Sequence, residues 1–231
     1  MKKIDQSFYD GTSYFTRKLN IFEDLNNPFQ TYRIRNVLRI YTPKKNERVL
    51  DLGCGWGTFS FAVAPLVKSV TGVDFSKKSI ALCNKKLRER KLKNVRFVCA
   101  DAQHTGLPAR SFDAIISADL FEHLYPDQSS NTMKECARLL TRGGKLAIWT
   151  PHRGHFLEIL KNHDIILKRD ISHVDYKSMD RLVRSLARQG FRILKAYYVE
   201  SHLPILSLME RMLLPVIPFF RRRIAILAEK S

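Results

Sequence analysis

The segment "DLFEHL", Asp119 to Leu124, places two carboxylates and an imidazole within a few positions of one another. A carboxylate or neutral imidazole held beside a hydroxyl can remove its proton, which makes Glu122 and His123 candidate catalytic residues. Two other readings stay open. Asp119, Glu122 and His123 together could hold a divalent cation, or His123 could satisfy a backbone carbonyl while Glu122 caps the loop. No metal ligand is assigned. Upstream, "DLGCGWGTFSFAV" carries glycines at alternate positions, Gly53, Gly55 and Gly57, which allow positive φ and let a ligand approach bare backbone. The helix expected from Thr58 would aim its first N–H groups at the same place. Asp74 closes "GVDF", where an acid can accept both hydroxyls of a ribose, and Asp101 lies in "CADAQ". A further set, His152, His155, His163 and His173, is irregularly spaced after "KLAIWT". His152 and His155 are the preferred substrate-side residues there, against the plainer reading of an exposed polar loop.

The elements that must position these residues follow from pattern. Short Val/Ile/Phe-rich runs alternate with helical periods, which predicts an α/β fold: a Rossmann-like, doubly wound, mostly parallel sheet with helices on both faces. The strands are "RVLDL", "SVTGVD", "VRFVCA", "FDAIIS" and "KLAIWT". Helices are predicted over Thr58–Val67, Ser76–Arg90 with Ser76 as N-cap, and Ser130–Leu140, stopped by "TRGG". "FRILKAYYVE" and "RIAILAE" read as a final pair of strands whose mutual direction the pattern leaves open. Residues 1–43 read as a helical extension or lid, with Phe8, Tyr9, Tyr14, Phe15, Ile21 and Phe22 as its apolar positions. Residues 44–231 form the main domain, with a substrate-side insertion at 152–178 and an apolar crossover at 203–221. In such a sheet the ligand crevice lies beyond the carboxyl ends of the strands, where the glycine loop, Asp74, Asp101 and Asp119 would converge.

Composition narrows the class. The 231 residues are 45% hydrophobic and carry a formal charge of +18, enough for one filled domain that attracts anionic partners, nucleic acid or an acidic membrane surface. The most basic stretch, Lys77 to Arg96, has nine Lys or Arg against a single acid, yet contains no Tyr or Trp for stacking on bases, and reads as a solvated face. Four dispersed cysteines without a C-x-x-C spacing, and an N-terminus that reaches Asp5 and Asp10 without an apolar run, predict a reduced, cytoplasmic protein.

The loop departs from the dinucleotide fingerprint in reading G-x-G-x-G, and Asp51 precedes it, which suits an ammonium-bearing cationic ligand better than a pyrophosphate. Taken in order, "VLDLGCGWGTFS", "VTGVDFS", "VRFVCADAQHTGLP", "FDAIISADLFEHL" and "LLTRGGKLAIWTP" resemble the class I S-adenosylmethionine-dependent methyltransferases, most nearly the small-molecule branch of ubiquinone and menaquinone biosynthesis. The resemblance spans Arg48 to Pro151. It implies a seven-stranded sheet with an antiparallel last strand, and S-adenosylmethionine as cofactor with S-adenosylhomocysteine as product. It implies backbone contacts from Gly53, Cys54 and Gly55 to the methionine part, and Asp51 holding its amino group directly or through water. Asp74 would take the ribose, Phe75 the adenine face, Asp101 and the Ala102 N–H the adenine edge, and Asp119 the floor of the transfer site. "D-x-x-E-H" also resembles the E-x-x-E-H metal motif of some members, with aspartate in place of the first glutamate.

The implied activity is methyl transfer to a small, apolar or lipid-like acceptor. The alternatives are nucleic-acid methylation and a non-catalytic cofactor-binding scaffold; the oligomeric state is left open. "PILSLMERMLLPVIPFFRRR", Pro204 to Arg223, is broken by Glu210, Arg211, Pro215 and Pro218, so it is not expected to span a membrane. Ile205–Leu214 is expected to be an amphipathic helix with Glu210 and Arg211 on its polar side, and peripheral contact with an anionic membrane stays open.

Overall fold

A computed structural model describes residues 5–11, 24, 27–162, 170–201, 204–213 and 216–231. Tyr14, Phe15, Ile21, Phe22 and His163, named above, lie outside the described residues. The chain runs α1 (Gln6–Tyr9), α2 (Pro28–Ile40), β1 (Arg48–Leu52), α3 (Thr58–Val63), β2 (Ser69–Asp74), α4 (Lys77–Arg90), β3 (Val95–Cys99), β4 (Phe112–Ala118), α5 (Pro126–Leu139), β5 (Leu140–Pro151), α6 (Phe156–Asn162), α7 (Met179–Arg188), β6 (Phe191–Val199), α8 (Pro204–Leu213) and β7 (Arg223–Lys230). The strands form one seven-stranded sheet in the order β3-β2-β1-β4-β5-β7-β6. β7 is antiparallel to both β5 and β6, which settles the direction of the final pair.

Alternation along the central strands builds two cores. Leu50, Ile115, Leu146 and Ile148 face α5 and α7, where Met133, Cys136, Leu182 and Leu186 meet them. Val49, Ile116, Ala147 and Trp149 face the other way, onto Tyr32, Val37 and Ile40 of α2 and Phe59 and Val63 of α3. Residues on one strand therefore serve both layers, as a sheet buried on two faces requires. Helix α2 belongs to this core, which corrects the expected boundary at residue 43. Its Val37 and Ile40 are each 1% exposed, so this stretch is framework and not lid.

Local chemistry sets the ends of the elements. Ser76 caps α4 by accepting the Ser79 N–H at 3.1 Å. Helix α5 starts four residues earlier than expected because Pro126 sits in its first turn, where no N–H is needed, and Gln128 accepts the Tyr125 N–H at 3.0 Å. Gly72 of β2 stands in register with Phe97 of β3. A Cβ there would lie 2.5 Å from the Phe97 ring and 2.9 Å from Ser60 Oγ. Gly72→Ala is therefore expected to cost about 1–3 kcal/mol through overpacking, read as a lower urea midpoint with an unchanged slope.

Candidate active site

The turns after β1, β2, β3 and β4 converge on a cavity of about 530 Å³. Gly53, Cys54, Gly55, Asp74, Phe75, Asp101 and Ala102 line one part of it, and Asp119, Glu122, His123 and His173 another.

In the glycine loop the N–H groups are already used. Gly53 and Cys54 both donate to the Val73 carbonyl, at 2.8 and 2.9 Å, and Gly55 donates to Asp74 Oδ2 at 2.9 Å. A phosphate, which needs donors, is poorly served here, whereas a ligand that itself donates meets acceptors. The expected contacts from Gly53 and Cys54 thus cannot come from these N–H groups. Gly55 holds φ at +51°, and a Cβ added to it would meet nothing within 4 Å, so the loop keeps open space beside the cavity wall. Asp74 Oδ1 accepts the Ser76 N–H at 2.9 Å, which fixes the carboxylate at the strand tip. Burial raises the Asp74 pKa against these hydrogen bonds. Asp101 is exposed and anchored by the Gln103 N–H at 2.8 Å.

Asp51 stands behind the cavity wall, which leaves the contact through water open. It is 1% exposed and absent from the cavity wall, and its Oδ2 accepts the Ser60 N–H at 2.8 Å and the Ser60 hydroxyl at 2.6 Å. Burial pushes its carboxyl up to about 6. It secures the start of α3 from behind the loop.

The second part of the cavity centres on the 3₁₀ turn Phe121–His123. Lys177, 2% exposed, pins that turn by donating to the carbonyls of Phe121 at 2.7 Å and Leu124 at 2.9 Å. Glu122 is 1% exposed and its Oε2 accepts the Thr150 hydroxyl at 2.9 Å. Burial, reinforced by the nearby Asp119 charge, pushes its carboxyl up to about 8. His123 Nδ1 lies 3.0 Å from the Ser172 carbonyl, a hydrogen bond when Nδ1 carries a proton. The Glu122 carboxyl meets its own backbone N–H as well as Thr150, so the loop-capping role considered for it stays open, and the carbonyl contact considered for His123 is present.

Asp119 is taken up by two guanidiniums: Arg33 donates to Oδ2 at 2.9 and 2.7 Å, and Arg223 to Oδ1 at 2.5 Å. Burial alone would raise its pKa, but Arg223 and Arg33 outweigh burial and hold it well below the usual carboxylate range. The donors that converge beside Glu122 and His123 are therefore completed by His173, not Asp119, with one ligand atom of each within 4.8 Å of the others. His173 Nδ1 is 2.7 Å from the Tyr176 hydroxyl, which donates to Glu158 at 3.0 Å.

His152 and His155 do not line the cavity. His155 is fully buried, with Nε2 2.9 Å from Glu210 Oε1, and His152 Nδ1 meets the Arg221 carbonyl at 3.0 Å. Both tie the chain after β5 to the crossover before β7. Sequence reasoning missed Tyr9, Arg33 and Arg223. Tyr9 lies edge-on to Phe75, with centroids 5.0 Å apart, and its hydroxyl is 3.2 Å from His123 Nδ1, so α1 spans both parts of the cavity. The signal for Arg223 was the "RRR" run, read as a basic edge. Arg33 stands in a segment without any motif.

Residues 49–144 match a family described as "Methyltransferase domain". The sheet order and the two-layered core agree with that assignment. Over those residues the chain carries a methyltransferase domain. It is 32% identical over 153 residues to aklanonic acid methyltransferase DauC of a Streptomyces species, covering 65% of this chain and 66% of that one. It is 38% identical over 109 residues to a ubiquinone biosynthesis O-methyltransferase of Coxiella burnetii, covering 47% and 45%. These alignments span about half to two thirds of the relatives' length. The methyltransferase fold is shared with the [4+2]-cyclase SpnF, at a TM-score of 0.73 and 19% identity over 98% of this chain and 95% of that one. Phosphoethanolamine N-methyltransferase 2 of Haemonchus contortus gives 0.72 and 19%, over 99% and 60%.

Proposed function

We propose that this methyltransferase moves the methyl group of S-adenosylmethionine onto an oxygen, or an activated carbon, of a small apolar or lipid-like acceptor. The observation that carries this reading is the single cavity in which a donor-poor glycine loop and Asp74 share walls with a turn holding Glu122 and His123. The residues present fit the cofactor. Open space at Gly55 leaves room for it, acceptors suit its ammonium, and the Asp74 carboxylate suits two ribose hydroxyls. Phe75 would lie against the base, and Asp101 and Ala102 at its edge. When bound, the sulfonium supplies an activated methyl group. The chain's own task is to align the acceptor, exclude water and take one proton. Glu122 is the base in this reading, oriented by Thr150 and held in place through Lys177. The relatives named for ubiquinone biosynthesis and aklanonic acid support a small acceptor. The SpnF likeness is a reminder that the fold alone does not decide the reaction.

Binding of S-adenosylhomocysteine tests the cofactor assignment. Asp74→Asn is expected to weaken it about 10- to 100-fold, the range of hydrogen bonds to a charged group. Absence of saturable binding to the unmodified chain would overturn the reading.

A second reading, favoured by the convergence of Glu122, His123 and His173, is a metal-assisted transfer. Two imidazoles and one carboxylate are a zinc-like donor set. If Glu122 acts alone as base, turnover survives exhaustive dialysis against 1,10-phenanthroline. Loss of turnover, restored by Zn²⁺, would carry the second reading instead.

The exposed face of α8 supports peripheral contact with an anionic membrane. Leu208 and Met212 are 61% and 72% exposed, whereas Glu210 is fully buried, the reverse of the polar side expected for it. No helix among the described residues is long and apolar enough to cross a membrane. Residues 5–11 act as a cover over the cofactor region, through Tyr9 and through the Ser76 hydroxyl bonded to Asp10 at 2.6 Å.

A further inference from the structure

A second cavity, of about 370 Å³, lies between α2 and the start of α8, away from the glycine loop and the Glu122 turn. Arg35 and Arg39 line it from one face of α2, and Ser201 and Arg211 from the other side. Glu200 is the one carboxylate in its wall, and it is already bonded to Arg211 at 2.7 Å. Arg35 and Arg39 are both exposed and show no carboxylate partner among the described residues, and two like charges four positions apart on a helix repel. Unpaired surface arginines alone would mean little. The independent observation is Ser201: the residue lines this cavity and is 3% exposed, and its buried hydroxyl has no hydrogen-bond partner among the described residues. A buried hydroxyl left unsatisfied calls for a ligand atom.

We infer that this cavity is a binding site for a phosphate group, carried by a phosphate ester or by the head group of an anionic lipid. Two guanidiniums offer planar pairs of donors, which match the several oxygens of a phosphate better than a single carboxylate, and the Ser201 hydroxyl of the same wall has hydrogen-bonding capacity still unmet. The volume exceeds that of the phosphate, so it takes the adjoining glycerol or sugar as well. Leu208 and Met212, exposed one position beyond the lining residues of α8, would face the acyl chains of a lipid source. The site stands whether or not the chain transfers methyl groups.

Calorimetric titration of the full chain at low salt with inorganic phosphate and with glycerol 1-phosphate tests it. Saturable binding is expected, and Arg35→Gln with Arg39→Gln should weaken it at least about tenfold, as expected when charge-assisted bonds are lost. The control removes the same charge elsewhere: Arg184 and Arg188 are exposed on α7, also four apart, and replacing both by Gln should leave binding unchanged. Ser201→Ala should weaken binding several-fold without lowering the unfolding midpoint, since the orphaned hydroxyl supports no contact in the free protein. Competition by vesicles containing phosphatidylglycerol, but not by phosphatidylcholine alone, identifies a lipid source. Binding of glycerol 1-phosphate that such vesicles leave untouched identifies a soluble ester. Both outcomes uphold the site. No saturable binding of any of these probes, or an equal loss in the two double-arginine variants, would overturn it.

Discussion

Glu122→Gln should lower the rate of methyl transfer by about 10²–10⁴-fold while leaving S-adenosylhomocysteine binding intact, the loss that accompanies removal of a positioned base. Glutamine keeps the volume and an oxygen for the Thr150 hydroxyl, so the site is expected to hold its shape. The pH profile separates a base from a merely structural carboxyl. Burial pushes Glu122 up to about 8, so its basic form accumulates only as the pH passes that value. In the unmodified protein kcat/KM is expected to rise through about pH 8, and in Glu122→Gln that rise disappears. An equal rate in both, or an alkaline limb that survives the substitution, would remove Glu122 from the chemistry.

Asp119→Ala is expected to be the most destabilising single change at the site. It strands Arg33 and Arg223, whose side chains are 6% and 12% exposed, without their shared carboxylate. Breaking a buried ion pair on one side costs about 3–5 kcal/mol, because the remaining charge stays desolvated. For a domain of this size that corresponds to a fall in Tm of roughly 10 °C, at about 2–4 °C per kcal/mol. The same clamp gives a direction for pH. The folded-state pKa of Asp119 is depressed, so its stabilisation is present at neutral pH, above the unfolded pKa. It is lost as the pH falls through the folded value, and acid unfolding should move to higher pH in the variant. Unchanged thermal and acid midpoints would show that the two arginines find other partners.

The framework was legible because its signals are local. Alternation in "FDAIIS" and "KLAIWT" reflects a sheet buried on both faces, and the glycine loop with Asp74 twenty-odd positions on marks the crevice by spacing alone. What escaped depends on long-range pairing. Arg33 and Asp119 are separated by 86 positions and Arg223 and Asp119 by 104, so no window of sequence shows that these charges neutralise one another. The same cause misplaced Glu210, which is buried because His155, 55 positions away, and the Ser201 N–H meet it. His155 looked like a substrate residue for its type, yet its imidazole is consumed in that contact. His173 carried too weak a pattern to stand out among four irregular histidines, and only folding brings it to His123, with ring centroids 4.8 Å apart.

In the proposed function the main cavity joins a cofactor region to the Glu122 turn, so that a methyl group passes to a small apolar acceptor. The most direct test is incubation of the full chain with methyl-tritiated S-adenosylmethionine and a cell extract fractionated into organic-soluble, nucleic-acid and protein pools. Label is expected in the organic phase, time-dependent and lost in Glu122→Gln. Label confined to nucleic acid, or transfer to no fraction by a chain that still binds the cofactor, would contradict it.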